Sequence, residues 1–324
     1  MNQDILVSVV APVYNEEECV EKYMQETLKV LSDNYLNYEL ILVDDGSTDN
    51  SKDLIKKMQE SIDNIRLLSL SRNYGREIAI TAGLEGSIGD YVVLMDSDLQ
   101  DPPSLIPDLV DKAISGFDVV YAARTHRIGE TFFKKILSKY FYKIAAKLTG
   151  FDIPDNAGDY RVFSRKVVNS INQLKEQNRY MKMLYAYVGF SSIGIPFERQ
   201  KRFAGKTKYN YLNLINASLD AVISFSSKPL RIVSIFSVSL SLLLLISSIG
   251  VFFYKLINSS NIIEGWASTV VLINFLFSIL FIFLAVISEY IGRVLVEVKN
   301  RPLYYIKEES ASLKLKDKNI VDDL

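Results

Sequence analysis

At 324 residues the chain has room for about two domains. Its 37 Lys and Arg residues against 38 Asp and Glu leave a formal net charge of −1, which excludes a globally basic nucleic-acid binder. A single cysteine, Cys19, excludes an intrachain disulfide and a cysteine-rich metal site, and a single histidine, His126, excludes a multi-histidine one.

The start, Met1-Asn2-Gln3-Asp4, has no basic leader and precedes an apolar run only a strand long, so no cleavable signal is expected. Strands are predicted near Leu6–Ala11, Glu39–Val43, Ile65–Leu70, Tyr91–Met95 and Val119–Ala122. Helices are predicted between them, near Glu16–Leu31, Ser51–Glu60, Glu77–Gly86 and Leu105–Ser115. Apolar strands alternating with helices of this length imply a mostly parallel sheet covered on both faces. Ligands in such sheets gather at the carboxyl ends of the strands. Those ends read Pro12-Val13-Tyr14-Asn15-Glu16, Asp44-Asp45-Gly46-Ser47, Ser71-Arg72-Asn73 and Asp96-Ser97-Asp98-Leu99-Gln100, an edge rich in acids and amides.

From Arg124 to Lys147 there are seven Lys or Arg residues against the one acid Glu130, and from Arg199 to Lys208 five and no acid. Such clusters suit anionic head groups or phosphates; the competing reading is a solvated charged face. Residues 129–150 place Phe132, Phe133, Ile136, Leu137, Tyr140, Phe141, Ile144 and Leu148 on one helical side with lysines around them, as in a helix lying in a membrane interface. Residues 210–227 are a second candidate. Two uncharged runs follow, Ile232 to Tyr254 and Ala267 to Ser288, 23 and 22 residues long. Roughly 20 helical residues cross a hydrocarbon core of about 30 Å, so two spans are predicted. Lys228 and Arg231 precede the first, and Arg293, Lys299 and Arg301 follow the second, which puts both termini in the cytoplasm.

The expected organisation is therefore a cytoplasmic catalytic domain over 1–228, a transmembrane hairpin over 229–291 and a cytoplasmic tail over 292–324, held in the inner membrane. The polar tail after Tyr305 is expected to be disordered, and no chemistry is read in it.

Asp96 and Asp98 emerge from the end of a buried strand, and Asp101-Pro102-Pro103 starts the next helix with a capping acid and prolines in its first turn. With Gln100 they offer hard oxygen ligands for Mg²⁺ or Mn²⁺. A metal ion there would neutralise charge on a departing nucleoside diphosphate. A capped turn with solvated acids would explain Asp101 but not the other two so easily.

Val10-Ala11-Pro12-Val13-Tyr14-Asn15-Glu16-Glu17, Val43-Asp44-Asp45-Gly46-Ser47-Thr48-Asp49 and Met95-Asp96-Ser97-Asp98-Leu99-Gln100-Asp101-Pro102-Pro103 resemble the motifs of glycosyltransferase family 2. Ser71-Arg72-Asn73-Tyr74-Gly75-Arg76-Glu77, Asn156-Ala157-Gly158-Asp159-Tyr160-Arg161 and Ala204-Gly205-Lys206-Thr207-Lys208-Tyr209 narrow the resemblance to bacterial polyprenyl-phosphate glycosyltransferases, relatives of dolichol-phosphate mannose synthase.

The resemblance covers Ser8 to Tyr305. It implies a GT-A fold, Rossmann-like with a mostly parallel sheet, and inverting transfer of a hexose from a nucleotide sugar, UDP-glucose first, to polyprenyl phosphate. It further implies that Pro12, Tyr14, Glu16, Asp44, Asp45 and Arg72 bind the nucleotide sugar, with Asp96 near the ribose, while Asp98 and Gln100 hold metal and diphosphate. Asp159 would face sugar and acceptor, or else pair structurally with Arg161. Arg124 and Arg127 would read the lipid phosphate, and Arg202 and Lys206 would sit on a mobile basic loop that closes over both phosphates. A homo-oligomer, such as a tetramer, is implied too. The competing functions are a processive polysaccharide synthase, disfavoured because Trp266 is the only tryptophan and no Gln-x-x-Arg-Trp motif exists, and a non-catalytic scaffold, disfavoured by the intact acids.

Overall fold

Strands buried on both faces must be apolar almost throughout, and the five predicted runs meet that demand. A computed structural model describes residues 2–125, 157–198 and 266–312, together with Phe236, Ser239, Leu240 and Ile246. Its first strands are β1 (Asn2–Val13), β2 (Tyr35–Asp44), β3 (Ile65–Leu70), β4 (Tyr91–Leu94) and β5 (Val119–Arg124). They alternate with helices α1 (Val20–Asn34), α2 (Ser51–Gln59), α3 (Arg76–Gly86) and α4 (Ile106–Ile114). Then come β6 (Ala157–Ser164), α5 (Arg165–Gln173), α6 (Met181–Tyr187), β7 (Ser192–Phe197), α7 (Trp266–Lys299) and β8 (Ile306–Ser312).

The sheet runs β7-β5-β6-β4-β1-β2-β3-β8. Its centre is parallel, as expected: β1 pairs with β2 and β4, and β2 with β3. The chain steps outward from β1 to β3 and then returns to the other side of β1 as β4. The strand order therefore reverses between β1 and β4, and a ligand crevice opens outside the carboxyl ends at such a reversal. β6 runs antiparallel between β4 and β5, with Leu94 opposite Arg161.

One core face packs Val7, Val9, Ala11 and Val13 of β1 and Leu40 and Leu42 of β2 against Tyr23, Met24, Leu28 and Leu31 of α1 and Ile106, Leu109 and Val110 of α4. α3 covers the opposite face so closely that a Cβ on Gly83 would lie 2.3 Å from Val10 Cγ1 and 3.0 Å from Val43 Cγ2.

The polar stretch after Tyr305 is not idle. Ile306–Ser312 adds β8 antiparallel to β3, with Lys52 and Lys56 of α2 on Glu308 and Arg66 on Glu309. A charged strand suits a sheet edge, which is why no apolar pattern announces it.

The chain divides into two compact units, Met1–Ser218 with Pro302–Leu324, and Leu219–Arg301. Among the described residues no helix is long and apolar enough to cross a membrane, and the first apolar run of the expected hairpin falls outside them apart from four positions. The expected interfacial helices near 129–150 and 210–227 lie outside the described residues.

Gly83→Ala is expected to destabilise the first unit by about 1–3 kcal/mol through overpacking against two stiff β-branched neighbours. A melting temperature equal to that of the unaltered protein would contradict this packing.

Candidate functional site

Four loops at the carboxyl ends of β1 to β4 are laced together by their own backbone. Asn15, held at φ 52°, donates its amide to Ser47 Oγ at 3.0 Å and accepts from the Thr48 amide at 2.8 Å. The Glu16 amide reaches Ser51 Oγ at 2.8 Å, so the Pro12–Glu16 loop lies along the β2–α2 loop. Asp44, buried at the end of β2, accepts from the Ser47 amide and from Ser69 Oγ, both at 2.9 Å. Asp45, also buried, accepts from the amides of Tyr74 at 2.7 Å and Gly75 at 3.0 Å. Burial pushes its carboxyl up, and those two amides oppose the shift. Gly46 has φ 70°, and a Cβ there would sit 2.7 Å from the Arg72 carbonyl carbon, so only glycine permits this approach of the second and third loops. Arg72 itself is exposed, its guanidinium 4.1 Å from the Tyr74 ring centre.

The Asp96–Gln100 turn is fixed to the other side of the β1–β4 reversal. Ser97 Oγ donates to the Pro12 carbonyl at 3.0 Å, Leu99 adopts φ 59°, and Asp98 Oδ1 accepts from the Gln100 amide at 3.1 Å. Asp98 is buried. Pro12, Tyr14, Glu16, Asp44, Asp45, Asp96, Asp98 and Gln100 thus occupy one edge of the sheet. Cys19 is next to this edge with its thiol donating to Glu16 Oε2 at 3.1 Å; burial first and then Glu16 push it up to about 12, which disfavours the thiolate.

Asp159 reaches this edge from a different direction. β6 pairs antiparallel with β4 as far as Leu94–Arg161, so Asp159 lies on the strand beside the turn that carries Asp96. Between them stands Arg76, the first residue of α3. Its Nε and Nη2 donate to Asp96 Oδ1 at 3.1 and 2.6 Å, and its Nη1 lies 2.9 Å from Asp159 Oδ2. Asp159 Oδ1 is buried and has no hydrogen-bond partner among the described residues. Burial disfavours this carboxylate's charge, but Lys182, Arg76 and Arg161 outweigh it and hold the group well below the usual carboxylate range. Arg161 meanwhile donates its Nε to the Gly158 carbonyl at 2.9 Å and lies 4.8 Å from the Tyr185 ring centre. Glu77 accepts from the Met181 amide at 2.9 Å, fixing α6 and its Lys182 to the start of α3.

Arg76 is the residue that sequence reasoning left without a role. It stands inside a quoted motif, but its partners lie 20 and 83 positions further on, and no local pattern connects them. Arg124, at the end of β5, brings a guanidinium nitrogen to 3.0 Å from where a Cβ on Gly158 would be, which places it beside the start of β6. Arg127, Arg202 and Lys206 lie outside the described residues. Among the described residues no group of three or more His, Cys, Asp or Glu converges. Mg²⁺ ordinarily takes one or two carboxylates and leaves further positions to substrate phosphates, and Asp96, Asp98 and Gln100 fit that donor set.

Residues 8–171 match the model of glycosyl transferase family 2. The chain belongs to that family. An uncharacterized glycosyltransferase of Synechocystis is 43% identical over 304 residues, 94% of this chain and 95% of that one. A bactoprenol glucosyl transferase of Shigella phage SfII is 36% identical over 308 residues, 93% of this chain and 97% of that one. A solved structure of glucosyl-3-phosphoglycerate synthase from Mycobacterium tuberculosis aligns over 68% of this chain and 79% of that one, at 19% identity and a TM-score of 0.49; no assignment rests on it. This family 2 enzyme is a glycosyltransferase, with a GT-A-like α/β fold built on a mostly parallel sheet.

The depressed Asp159 carboxyl stabilises the fold above its unfolded value of about 3.9, and that contribution is lost as pH falls below it. Asp159→Asn should therefore lower stability at pH 7 and flatten its decline toward acid. Unfolding midpoints at pH 3, 4 and 7 that decline in parallel for both proteins would refute this.

Proposed function

We propose that the enzyme transfers one hexose, glucose from UDP-glucose, to a polyprenyl phosphate with inversion at the anomeric carbon. The observation that carries this reading is the pairing of the Asp96–Gln100 turn with Asp159 at the strand-order reversal, on a chain that matches bactoprenol glucosyl transferases along nearly their whole length. That match extends well beyond the catalytic family model, through the segment that holds the apolar runs.

Donor and acceptor would meet across the Arg76 bridge. The loops after β1, β2 and β3 hold the nucleotide, with Pro12, Tyr14, Glu16, Asp44, Asp45 and Arg72 around it. A divalent ion, Mg²⁺ or Mn²⁺, held by Asp96, Asp98 and Gln100 would supply charge neutralisation for the leaving diphosphate. Asp96 gives one oxygen to Arg76, so the other is left for donor or metal.

Asp159 is held anionic by its cationic neighbours and is a poor proton acceptor, which favours a positioning role over that of general base. Its unengaged Oδ1 suits a substrate hydroxyl, and a buried acceptor without a partner calls for such an explanation. The acceptor needs no strong base, because a phosphate monoester with a second pKa near 6 already carries its nucleophilic charge at neutral pH. It needs cations, and Arg124 beside β6, with Arg127, Arg202 and Lys206, would supply them as planar forks and point charges on the phosphate.

The lipid acceptor also requires a membrane. Residues 267–288 of α7 carry no charge, and Leu272, Phe275, Leu280, Leu284 and Ile287 are 44% to 57% exposed. Apolar surface of that extent calls for lipid or protein cover. We read this run and 232–254 as a two-span hairpin with the catalytic unit on the cytoplasmic side.

Purified protein offered a panel of nucleotide sugars with undecaprenyl phosphate should give a lipid one hexose heavier by mass spectrometry, fastest with UDP-glucose and dependent on Mg²⁺ or Mn²⁺. Serial addition of sugars, or donor consumption with no lipid product, would overturn the reading. Asp98→Asn should cost several kcal/mol of transition-state stabilisation while leaving folding and membrane insertion intact. Turnover near that of the unaltered enzyme would remove Asp98 from the metal site.

A further inference from the structure

We infer that Arg76 is a positioning residue that ties the donor side of the site to the acceptor side, holding Asp96 and Asp159 in one fixed relation through a single guanidinium. The inference rests on the proposed function for one point, that Asp96 meets the donor and Asp159 the acceptor. The rest comes from geometry.

Asp96, two residues past the end of β4, and Asp159, on the neighbouring strand β6, both come to the one guanidinium of Arg76, and two carboxylates gathered that closely repel unless a cation stands between them. Arg76 converts that repulsion into a bridge, with Nε and Nη2 on Asp96 and Nη1 on Asp159. All three nitrogens of the guanidinium are engaged. A planar fork with fixed angles transmits the position of one carboxylate to the other, whereas a lysine ammonium offers one rotating nitrogen and cannot.

The bridge is itself held from both ends. Before it, the amides of Tyr74 and Gly75 are bound by Asp45, and Gly75 takes φ 97° to start α3. After it, Glu77 accepts from the Met181 amide and secures α6. The loop that contacts Asp45, a donor-side acid, thus sets the place of the guanidinium that orders Asp159. Arg76 need not touch either substrate to act. It acts through the two acids, and a shift of about 1 Å at a reacting centre is enough to slow a transfer about 100-fold.

The competing role is plain charge neutralisation, which would be visible in stability and not in turnover per folded molecule. Arg76→Gln and Arg76→Lys separate the two when kcat, KM for the nucleotide sugar, UDP affinity by calorimetry and melting temperature are measured together. Positioning predicts that Arg76→Gln lowers kcat about 100-fold with UDP affinity little changed. Arg76→Lys should recover the melting temperature but only part of kcat. In the Arg76→Gln, Asp159→Asn double variant, turnover should fall little below that of Asp159→Asn alone, because residues acting as one unit are not additive.

Losses that multiply in the double variant, a kcat that follows the folded fraction, or full recovery by lysine would each overturn the inference. If the unaltered enzyme transfers no sugar to polyprenyl phosphate, the functional reading fails by itself. The same cycle is then read on release of UDP from UDP-glucose, with the same outcomes deciding on Arg76.

Discussion

Two carboxylates cannot gather in one half-buried site unless something positive stands between them, and the Arg76 guanidinium meets that constraint. Leaving either carboxylate buried and unpaired would cost several kcal/mol, since a charge removed from water needs a close partner and hydrogen bonds. The cation enters from α3 on the face opposite the main core, at the first turn of the helix, and reaches both acids at bonding distance. Lys182 and Arg161 add positive charge around Asp159. The outcome is a carboxylate that keeps its charge throughout the physiological range and whose place depends on three separate elements, β6, α3 and α6.

The loop edge at the ends of β1 to β4 rests on a different kind of constraint, the satisfaction of loop backbone. Loops of this length carry many amides that would be orphaned once a nucleotide excluded water. Here Ser47, Ser51, Asp44 and Asp45 take up several of them, and the bonds to Ser47, Ser51 and Asp45 cross from one loop to the next. Glycine at position 46 allows the second and third loops to touch. The site is therefore stiff before any ligand arrives, which suits preorganised electrostatic work. The strand β8 extends this bracing to the far edge of the sheet. Its backbone holds β3, and Tyr305 accepts from the amide of Ser71, where the third loop begins.

How much of this was legible beforehand follows from what local pattern can carry. β1 to β5 and α1 to α4 lie close to their predicted positions because most strand residues are apolar and α1, α2 and α4 repeat their apolar residues at the helical period. β6, β7 and β8 were not assigned. β6 contains Asp159 and Arg161 and reads as a loop motif; β7 contains Gly194 and Pro196, tolerable because it pairs at an edge; β8 is mostly polar. In each case the strand is defined by its neighbours rather than by its own composition.

The acids of the site were named from sequence because strand ends and turn residues carry a recognisable chemistry: Asp44, Asp45, Asp96 and Asp98 all follow buried apolar runs, and Asp159 stands in a motif of the family. Their mutual geometry could not be read in the same way. Whether Asp159 pairs with its near neighbour Arg161 or with the distant Arg76 depends on which strand β6 lies beside and in what register, a one-residue slip of which would turn Asp159 to the other face. Local pattern reports the element a residue belongs to, since propensity and periodicity act over a few positions. The meeting of Arg76, Asp96 and Asp159 depends on long-range packing of the sheet, and only the folded chain brings the Arg76 guanidinium within 3 Å of both acids.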